Sequence, residues 1–168
     1  MSAENQDDVT IKAQQECFEK ICNFLDENNV KYKSVKHEPT FTSEESAKAR
    51  GEDLSIGGKA LLMKTDDKFC LFVLSASKKL NSKKLKQAIK AKNLRFSTKE
   101  ELFEMTKLVP GCVPPFGEPI LPFKLYLDNS ILANPKIAFN AGSLTNSIVL
   151  EINEYLRVAK AENIDFTD

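Results

Sequence analysis

Two apolar segments separated by a short polar turn constrain the fold of this chain more than any other feature of its sequence. Residues 60–63 (Ala-Leu-Leu-Met) and 69–74 (Phe-Cys-Leu-Phe-Val-Leu) flank the turn Thr-Asp-Asp-Lys at residues 65–68. This spacing predicts a β-hairpin. Because both segments are apolar throughout rather than alternating with polar residues, we expect the two strands to be buried on both faces.

Shorter patterns place other helices and strands around the hairpin. Thr42 and Ser97 each begin a sequence with a hydroxyl at the N-cap and a carboxylate three residues later, which predicts two helix starts. Apolar residues that recur at helical spacing predict three more helices. In chain order the predicted helices span residues 9–28, 42–51, 81–91, 97–107 and 152–162. Further predicted strands span residues 32–35, 94–96, 124–128, 136–139 and 147–150.

The order of these elements predicts the fold class. Helices and strands are mixed without strict βαβ alternation, and short turns join several of the strands. This order favours an α+β fold with a mixed, partly barrel-like β-sheet surrounded by helices. The length of 168 residues and the lack of a linker or repeat indicate one domain over residues 1–168. We expect a disordered acidic N-terminus of about eight residues within it.

Composition narrows the classes of function. The 24 basic and 24 acidic residues balance, so any contact with nucleic acid must come from a local patch. One histidine and four cysteines without metal-type spacing predict no metal site, and we expect the cysteines to be reduced thiols. The N-terminus lacks the segments of a signal peptide, and no apolar run reaches the ~20 residues of a membrane span. We therefore expect a soluble, cytoplasmic protein.

A basic run without any acidic residue is the clearest candidate for a local patch. It is typical of a solvated helix face, and it is also typical of a surface that contacts phosphates. No aromatic residue is interleaved with the lysines, so the run predicts backbone contact rather than base stacking. The run consists of Lys78, Lys79, Lys83, Lys84, Lys86, Lys90, Lys92 and Arg95.

Two glycine-containing segments are candidates for a ligand pocket. Lys59 follows two glycines at the start of the hairpin, where its ammonium can reach over a pocket or simply be solvated. The loop at residues 111–117 (Gly-Cys-Val-Pro-Pro-Phe-Gly) is stiffened by two prolines. Its backbone N–H groups could hold an ester carbonyl or a developing oxyanion, or the loop could serve only as a connection. Cys112 suggests a thiol nucleophile with His37 as its base, which requires the two to be close in space.

Small and polar residues also follow the strand predicted at residues 136–139. The tripeptide at residues 140–142 (Asn-Ala-Gly) suits the floor of a pocket, although a plain turn explains it as well. His37 lies in a loop ahead of the helix that begins at Thr42. A lone histidine in such a loop is more often structural than catalytic.

In chain order, these motifs resemble the YbaK / prolyl-tRNA-synthetase-associated editing domain family. The resemblance covers roughly residues 15–160. Its most specific part is the Gly-x-x-x-Pro loop combined with the upstream lysine. The residues that carry it are His37-x-Pro39, Thr42 with Glu45, Lys59 before the hairpin, Gly111-x-x-x-Pro115, and a strand that ends in Asn140-Ala-Gly.

The resemblance implies a trans-acting aminoacyl-tRNA deacylase that hydrolyses the ester of mischarged tRNA, notably Ala- or Cys-tRNA(Pro), with no metal or cofactor. It implies that the lysine binds the region of the 3′-terminal adenosine and that loop amides hold the aminoacyl carbonyl while water attacks. The residues assigned to catalysis are Lys59, Gly111, Cys112, Val113 and Pro115. Those assigned to substrate binding are His37, Thr42, Asn140, Ala141 and Gly142. Those assigned to the tRNA backbone are Lys78, Lys79, Lys83, Lys84 and Lys86.

The resemblance does not fix the amino acid that is removed. Some family members carry a histidine at the position of Asn140. The implied partners are the acceptor end of tRNA and a prolyl-tRNA synthetase or synthetase complex, and the chain looks like a free-standing editing factor or an excised editing domain. Two alternatives remain: a non-catalytic module of the same fold that binds tRNA or a synthetase, and a thiol hydrolase that uses Cys112.

Overall fold

The helices and strands follow the predicted order closely. The computed structural model describes the backbone of residues 3–168 and the side chains of residues 7–168. The helices are α1 (Ala3–Glu27), α2 (Ser43–Arg50), α3 (Ser82–Ala88), α4 (Lys99–Thr106), α5 (Asn129–Leu132) and α6 (Ile152–Ala159), with a 3-10 turn at Leu54–Ile56. The strands are β1 (Tyr32–Lys36), β2 (Gly58–Thr65), β3 (Lys68–Ser75), β4 (Leu94–Phe96), β5 (Lys124–Asp128), β6 (Lys136–Asn140), β7 (Asn146–Glu151) and β8 (Glu162–Ile164).

The predicted hairpin, β2 and β3, forms the centre of a five-stranded mixed sheet with the order β4-β2-β3-β5-β8. The two strands pair antiparallel, while β5 runs parallel to β3 and β8 parallel to β5. Leu71 and Val73 belong to the main core, and Phe72 and Leu74 pack on the opposite face in a second cluster that includes Leu85 of α3. All four side chains are at most 1% exposed, so the predicted burial on both faces is confirmed for β3. In β2, Leu62 and Met63 are buried, whereas Ala60 and Leu61 are only half-buried.

A second sheet of three antiparallel strands has the order β1-β7-β6. Its buried residues Ile137 and Ile148 join the main core. A β-bridge between Gly57 and Ala138 connects the middle of β6 to the residue before the hairpin. At Gly58, an added Cβ would lie 2.7 Å from Cδ1 of Ile137, so this glycine lets the two sheets approach closely.

The fold class is confirmed as α+β, a single mixed domain in which helices surround curled sheets. Two details differ from the prediction. The last helix ends at Ala159 rather than at residue 162, because Lys160 adopts a left-handed conformation and the following residues pair with β5. Strand β8 was not predicted, since it forms by pairing with β5, which is distant along the chain. The short helix α5 was not predicted either, because its four residues are too few to show a helical period.

The helix caps are shifted slightly from the predicted ones. The full capping box lies at Thr98 and Glu101, one residue after the predicted start at Ser97. Thr42 caps α2 as predicted, with its hydroxyl accepting from the N–H of Glu45 at 3.1 Å. The carboxylate of Glu45 accepts from the N–H of Phe41 instead of from the cap residue itself.

The N-terminal prediction is tested only in part. Helix α1 begins at Ala3, and Met1 and Ser2, where the predicted disordered segment begins, lie outside the described residues. Helix α1 contributes Ile21 and Leu25, both fully buried, to the main core. Along residues 3–168, no helix combines the length and the apolar character that crossing a membrane requires.

Candidate functional site

A cleft of about 340 Å³ opens where the start of β2, the end of β6 and the loop after α4 meet. Five of the residues that the sequence singled out line it together: Thr42, Lys59, Gly111, Val113 and Asn140. They come from four separate segments of the chain, since Gly111 and Val113 share one loop. Because the fold alone brings these segments together, the cleft is the candidate functional site.

The lining of the cleft is cationic. Arg50, Lys59 and Lys99 line it, and no aspartate or glutamate does. Lys59 is exposed at the start of β2, and within residues 7–168 its ammonium takes part in no ion pair. In a chain of zero net charge, a cleft lined by cations alone favours an anionic ligand.

The loop at residues 110–115 presents backbone donors to this cleft. Gly111 has φ +94°, a conformation that favours glycine. The N–H of Cys112 donates to the carbonyl of Val109 at 3.1 Å, and the three prolines of the loop have no N–H. The N–H groups of Gly111 and Val113 donate to no acceptor within the described part of the chain, and both residues line the cleft. These two amides are therefore available to a ligand carbonyl.

Asn140 holds this loop in place. Its side-chain N–H₂ donates to the carbonyl oxygen of Gly111 at 2.8 Å. Its own Oδ1 accepts from Nη2 of Arg50 at 3.1 Å and lies 3.2 Å from the hydroxyl of Ser147. The amide is thus fixed in one orientation by partners on its oxygen side, which sets the position of Gly111.

Arg50 was not predicted as a site residue. It ends α2 and is 8% exposed, and its Nε donates to Ser147 Oγ at 2.9 Å. Burial lowers its pKa to about 10 while the charge of Glu52 raises it, so the guanidinium stays protonated at neutral pH. Within residues 7–168 it takes part in no ion pair. In the sequence it resembles an ordinary basic residue in a last helical turn, and only the tertiary contacts distinguish it.

His37 lies behind this network rather than in the cleft. Its Nδ1 is 2.8 Å from the carbonyl oxygen of Glu38, and its Nε2 is 2.8 Å from Ser147 Oγ. Because a carbonyl only accepts, Nδ1 carries a proton. His37 therefore supports Ser147, which in turn contacts Arg50 and Asn140.

Comparison with known proteins places the chain in a family. The model of the aminoacyl-tRNA editing domain matches residues 37–158, which span every segment of the cleft. The chain belongs to the aminoacyl-tRNA editing domain family. This confirms the predicted resemblance. A relative of the chain is named as a tRNA deacylase, which is the class of enzyme that the sequence predicted.

Three relatives illustrate the similarity of this editing domain. It is 30% identical over 154 residues to the multifunctional Ser/Thr-tRNA deacylase ProXp-y of Escherichia coli K12, covering 88% of this chain and 91% of the relative. It is 24% identical over 147 residues to the prolyl-tRNA editing protein ProX of Acetoanaerobium sticklandii, covering 84% and 90%. A solved structure of a protein proposed to be a trans-editing enzyme for prolyl tRNA synthetase superposes with a TM-score of 0.73 at 28% identity, covering 82% and 87%.

Four of the predicted site residues in the editing domain are buried behind the cleft. Cys112 is fully buried in the main core, and burial raises the pKa of its thiol to about 12. The carbonyl of Pro115 accepts a hydrogen bond from the hydroxyl of Tyr155. Ala141 is also fully buried, and a Cβ on Gly142, which has φ +72°, would lie 2.7 Å from Cβ of Cys17. These residues shape the walls of the site.

The geometry does not support a thiol nucleophile in this editing domain. The neutral thiol of Cys112 lies in the core, while the ring nitrogens of His37 bond to Ser147 and to the carbonyl of Glu38. This arrangement disfavours the alternative in which Cys112 is the nucleophile and His37 its base, because burial removes the thiol from the cleft and suppresses the thiolate. Within residues 7–168, no three His, Cys, Asp or Glu side chains gather into a group that could bind a metal ion.

The basic run begins beside the cleft but does not line it. Ala76 lines the cleft, and Lys78 and Lys79 follow it as exposed residues. Lys84 is engaged within the fold, since its ammonium pairs with Asp165 at 2.8 Å and donates to a backbone carbonyl. The other two lysines assigned to the tRNA backbone, Lys83 and Lys86, are exposed on α3.

Proposed function

We propose that this editing domain is a trans-acting deacylase that hydrolyses the aminoacyl ester of mischarged tRNA. The observation that carries the proposal is that Lys59, Gly111 and Asn140 line one cleft although they are far apart in the sequence. The cationic lining suits the phosphates at the 3′ end of a tRNA, and the free amides of the loop suit an ester carbonyl.

The proposed chemistry uses the backbone of the loop. The N–H groups of Gly111 and Val113 donate to the carbonyl oxygen of the ester and stabilise the negative charge that develops on it when water attacks the carbonyl carbon. The bond between that carbon and the ribose oxygen then breaks, and the ribose oxygen takes up the proton that the attacking water loses, so that a free amino acid and a free ribose hydroxyl result. Lys59 holds the 3′-terminal nucleotide, so that the ester is presented to the loop in one orientation.

The proposed substrate carries a small amino acid. The resemblance implies alanine or cysteine on tRNA(Pro), with the larger cognate proline excluded by size. A second candidate is serine or threonine, because the hydroxyls of Thr40, Thr42 and Ser46 line the cleft and could bond to a substrate hydroxyl. The Escherichia coli relative that is named as a Ser/Thr-tRNA deacylase supports the same choice.

The proposed partner is the acceptor end of tRNA. Lys78 and Lys79 extend the positive charge of the cleft along the surface, and we assign the tRNA backbone to them together with Lys83, Lys84 and Lys86. His37 and the buried residues behind the loop support the substrate pocket without touching the ester. A prolyl-tRNA synthetase is a further partner that the resemblance implies.

A deacylation panel tests the proposal. The protein is incubated with tRNA(Pro) charged with alanine, cysteine, serine, threonine or proline, and the loss of the ester is followed against a reaction without protein. We expect hydrolysis of the small amino acids, sparing of proline, and strong loss in Lys59→Ala. Lys136→Ala is the matched control, since Lys136 is also exposed at the start of a strand but does not line the cleft.

The same panel separates the enzyme from a non-catalytic binding module. Tight binding of tRNA with no hydrolysis of any ester above the reaction without protein would support the module and contradict the proposal. Hydrolysis at an unchanged rate in Lys59→Ala would support the deacylase but would contradict the role proposed for this lysine.

A further inference from the structure

Two exposed phenylalanines lie on the cleft. Of the eleven phenylalanines in the chain, all within the described residues, only Phe41 and Phe96 are exposed, at 78% and 55%. Both line the cleft. The other large apolar side chains that are exposed in the described part, Ile11, Met105 and Leu132, do not. Exposed apolar surface at a ligand site, rather than scattered over the molecule, indicates a function in binding.

The backbone holds both rings in place. The N–H of Phe41 donates to the carboxylate of Glu45 at 3.0 Å, and Phe41 lies next to Thr42, the cap of α2. Phe96 is the last residue of β4, where it pairs with Met63. The next N–H, that of Ser97, donates to the carbonyl of Leu62 at 3.0 Å. A ring on a fixed backbone loses little conformational freedom when it binds a ligand.

The charges beside the rings identify the kind of ligand. Lys59 and Lys99 line the same cleft as the two phenylalanines, and no carboxylate does. Aromatic faces next to cations are the features with which proteins bind single-stranded nucleic acid, because bases stack on the rings while the phosphates meet the cations. An apolar peptide would bury the rings but would leave the cations without a partner.

We propose that Phe41 and Phe96 form a stacking site for the unpaired bases at the 3′ end of a tRNA, on the rim of the cleft. This inference rests on the proposed function and names how its substrate is held. The basic run lacks aromatic residues. We therefore assign base stacking to the cleft and phosphate contact to the basic run.

Direct binding tests the stacking site without hydrolysis. The probe is a short single-stranded RNA that ends in CCA, with 2-aminopurine in place of the terminal adenine or of the base before it. We expect its fluorescence to fall on binding as the base stacks, and Phe41→Ala and Phe96→Ala to weaken binding by about tenfold each. Phe→Tyr at either position should retain the binding, whereas Phe→Leu, which is apolar without an aromatic face, should not. Leu132→Ala is the control for loss of exposed apolar surface away from the cleft.

The outcomes separate this inference from the proposed function. Because both side chains are exposed, the substitutions should leave thermal unfolding almost unchanged, which is measured for each variant. In the deacylation assay we expect KM to rise with little change in kcat. Alanine variants that bind as tightly as the unaltered protein, or leucine variants equal to phenylalanine, would overturn the stacking site even if the ester is hydrolysed. RNA binding that depends on both rings without hydrolysis would support the site while the deacylase proposal fails.

Discussion

Asn140 donates its side-chain amide to the carbonyl oxygen of Gly111 at 2.8 Å, across 29 positions of sequence. The bond joins the end of a strand to the loop that supplies the free amides of the cleft. Because Arg50 donates to Oδ1 of the same side chain, the orientation of Asn140 is fixed and the donor faces the loop. The position of the proposed oxyanion site therefore depends on a side chain that need not touch the ester.

Removal of this amide should slow hydrolysis more than it destabilises the fold. We expect Asn140→Ala to lower kcat by about 10²-fold, since a displacement of reacting groups by about 1 Å can cost that much. Asn134→Ala is the control, because Asn134 also donates from its side chain to backbone carbonyls, but outside the cleft. Equal losses of kcat in the two variants, at equal stability, would show that Asn140 has no specific role.

Substitution of Arg50 should affect the activity of the protein much more than its stability. A buried cation with no ion-pair partner costs desolvation energy that its hydrogen bonds only partly offset. We expect Arg50→Met, which keeps much of the volume, to change the free energy of unfolding by less than about 1 kcal/mol in denaturant titration. The same variant should lose most deacylation, because Asn140 and Ser147 lose their donor. A variant that is both stable and fully active would contradict this role.

Gly111 should tolerate no side chain. At φ +94° an alanine is strained, and its Cβ would lie 3.2 Å from Cδ2 of Leu144. We expect Gly111→Ala to cost about 1–2 kcal/mol of stability and to reduce kcat as the amide shifts. Gly51→Ala is matched to it, since Gly51 has φ +70° but open space around the added Cβ. The control should lose similar stability and retain its rate, as measured by single-turnover deacylation.

Cys112 should be dispensable for chemistry. We expect Cys112→Ser to keep the rate of deacylation nearly unchanged in folded protein. It should cost about 1–3 kcal/mol of stability, because a hydroxyl replaces a thiol at a fully buried position. Cys70→Ser provides the comparison at another buried cysteine, away from the loop. Loss of activity in Cys112→Ser alone, while the protein remains folded, would revive the thiol mechanism.

Asp128 should make the fold sensitive to acid. Although burial raises its pKa, hydrogen bonds from the N–H groups of Phe166 and Ser130 and from the hydroxyl of Thr167 hold the pKa below the usual value of an aspartate. A lowered pKa in the folded state contributes stability above the pKa of the unfolded state, and this contribution is lost as the pH falls through the folded value.

Unfolding measured against pH tests this directly. We expect Asp128→Asn to destabilise the protein by about 2–3 kcal/mol at neutral pH, since an N–H₂ group then faces donors. The difference from the unaltered protein should shrink below pH ~4, where the carboxyl becomes protonated in the unfolded chain. A difference that stays constant with pH would show that the charge does not contribute.

The sequence alone determined the type of fold and most of its parts. The hairpin at residues 60–74 could be predicted because strands buried on both faces appear in the sequence as apolar runs without alternating polar residues. The helix starts at Thr42 and near Ser97 could be read because capping depends on residues only three apart. The family was recognised because its motifs occur in a fixed order, and Lys59, Gly111 and Asn140 were among them.

Only the tertiary structure decided which of those residues line one cleft. It placed Lys59, Gly111 and Asn140 on one cleft, moved Cys112 into the core and brought in Arg50, which no local pattern marked. The exposure of Phe41 and Phe96 on the same cleft also comes only from the tertiary structure. The physical reason is that short-range patterns fix backbone conformation, whereas burial, hydrogen-bond partners and the sharing of a cleft arise from contacts between segments that are distant along the chain.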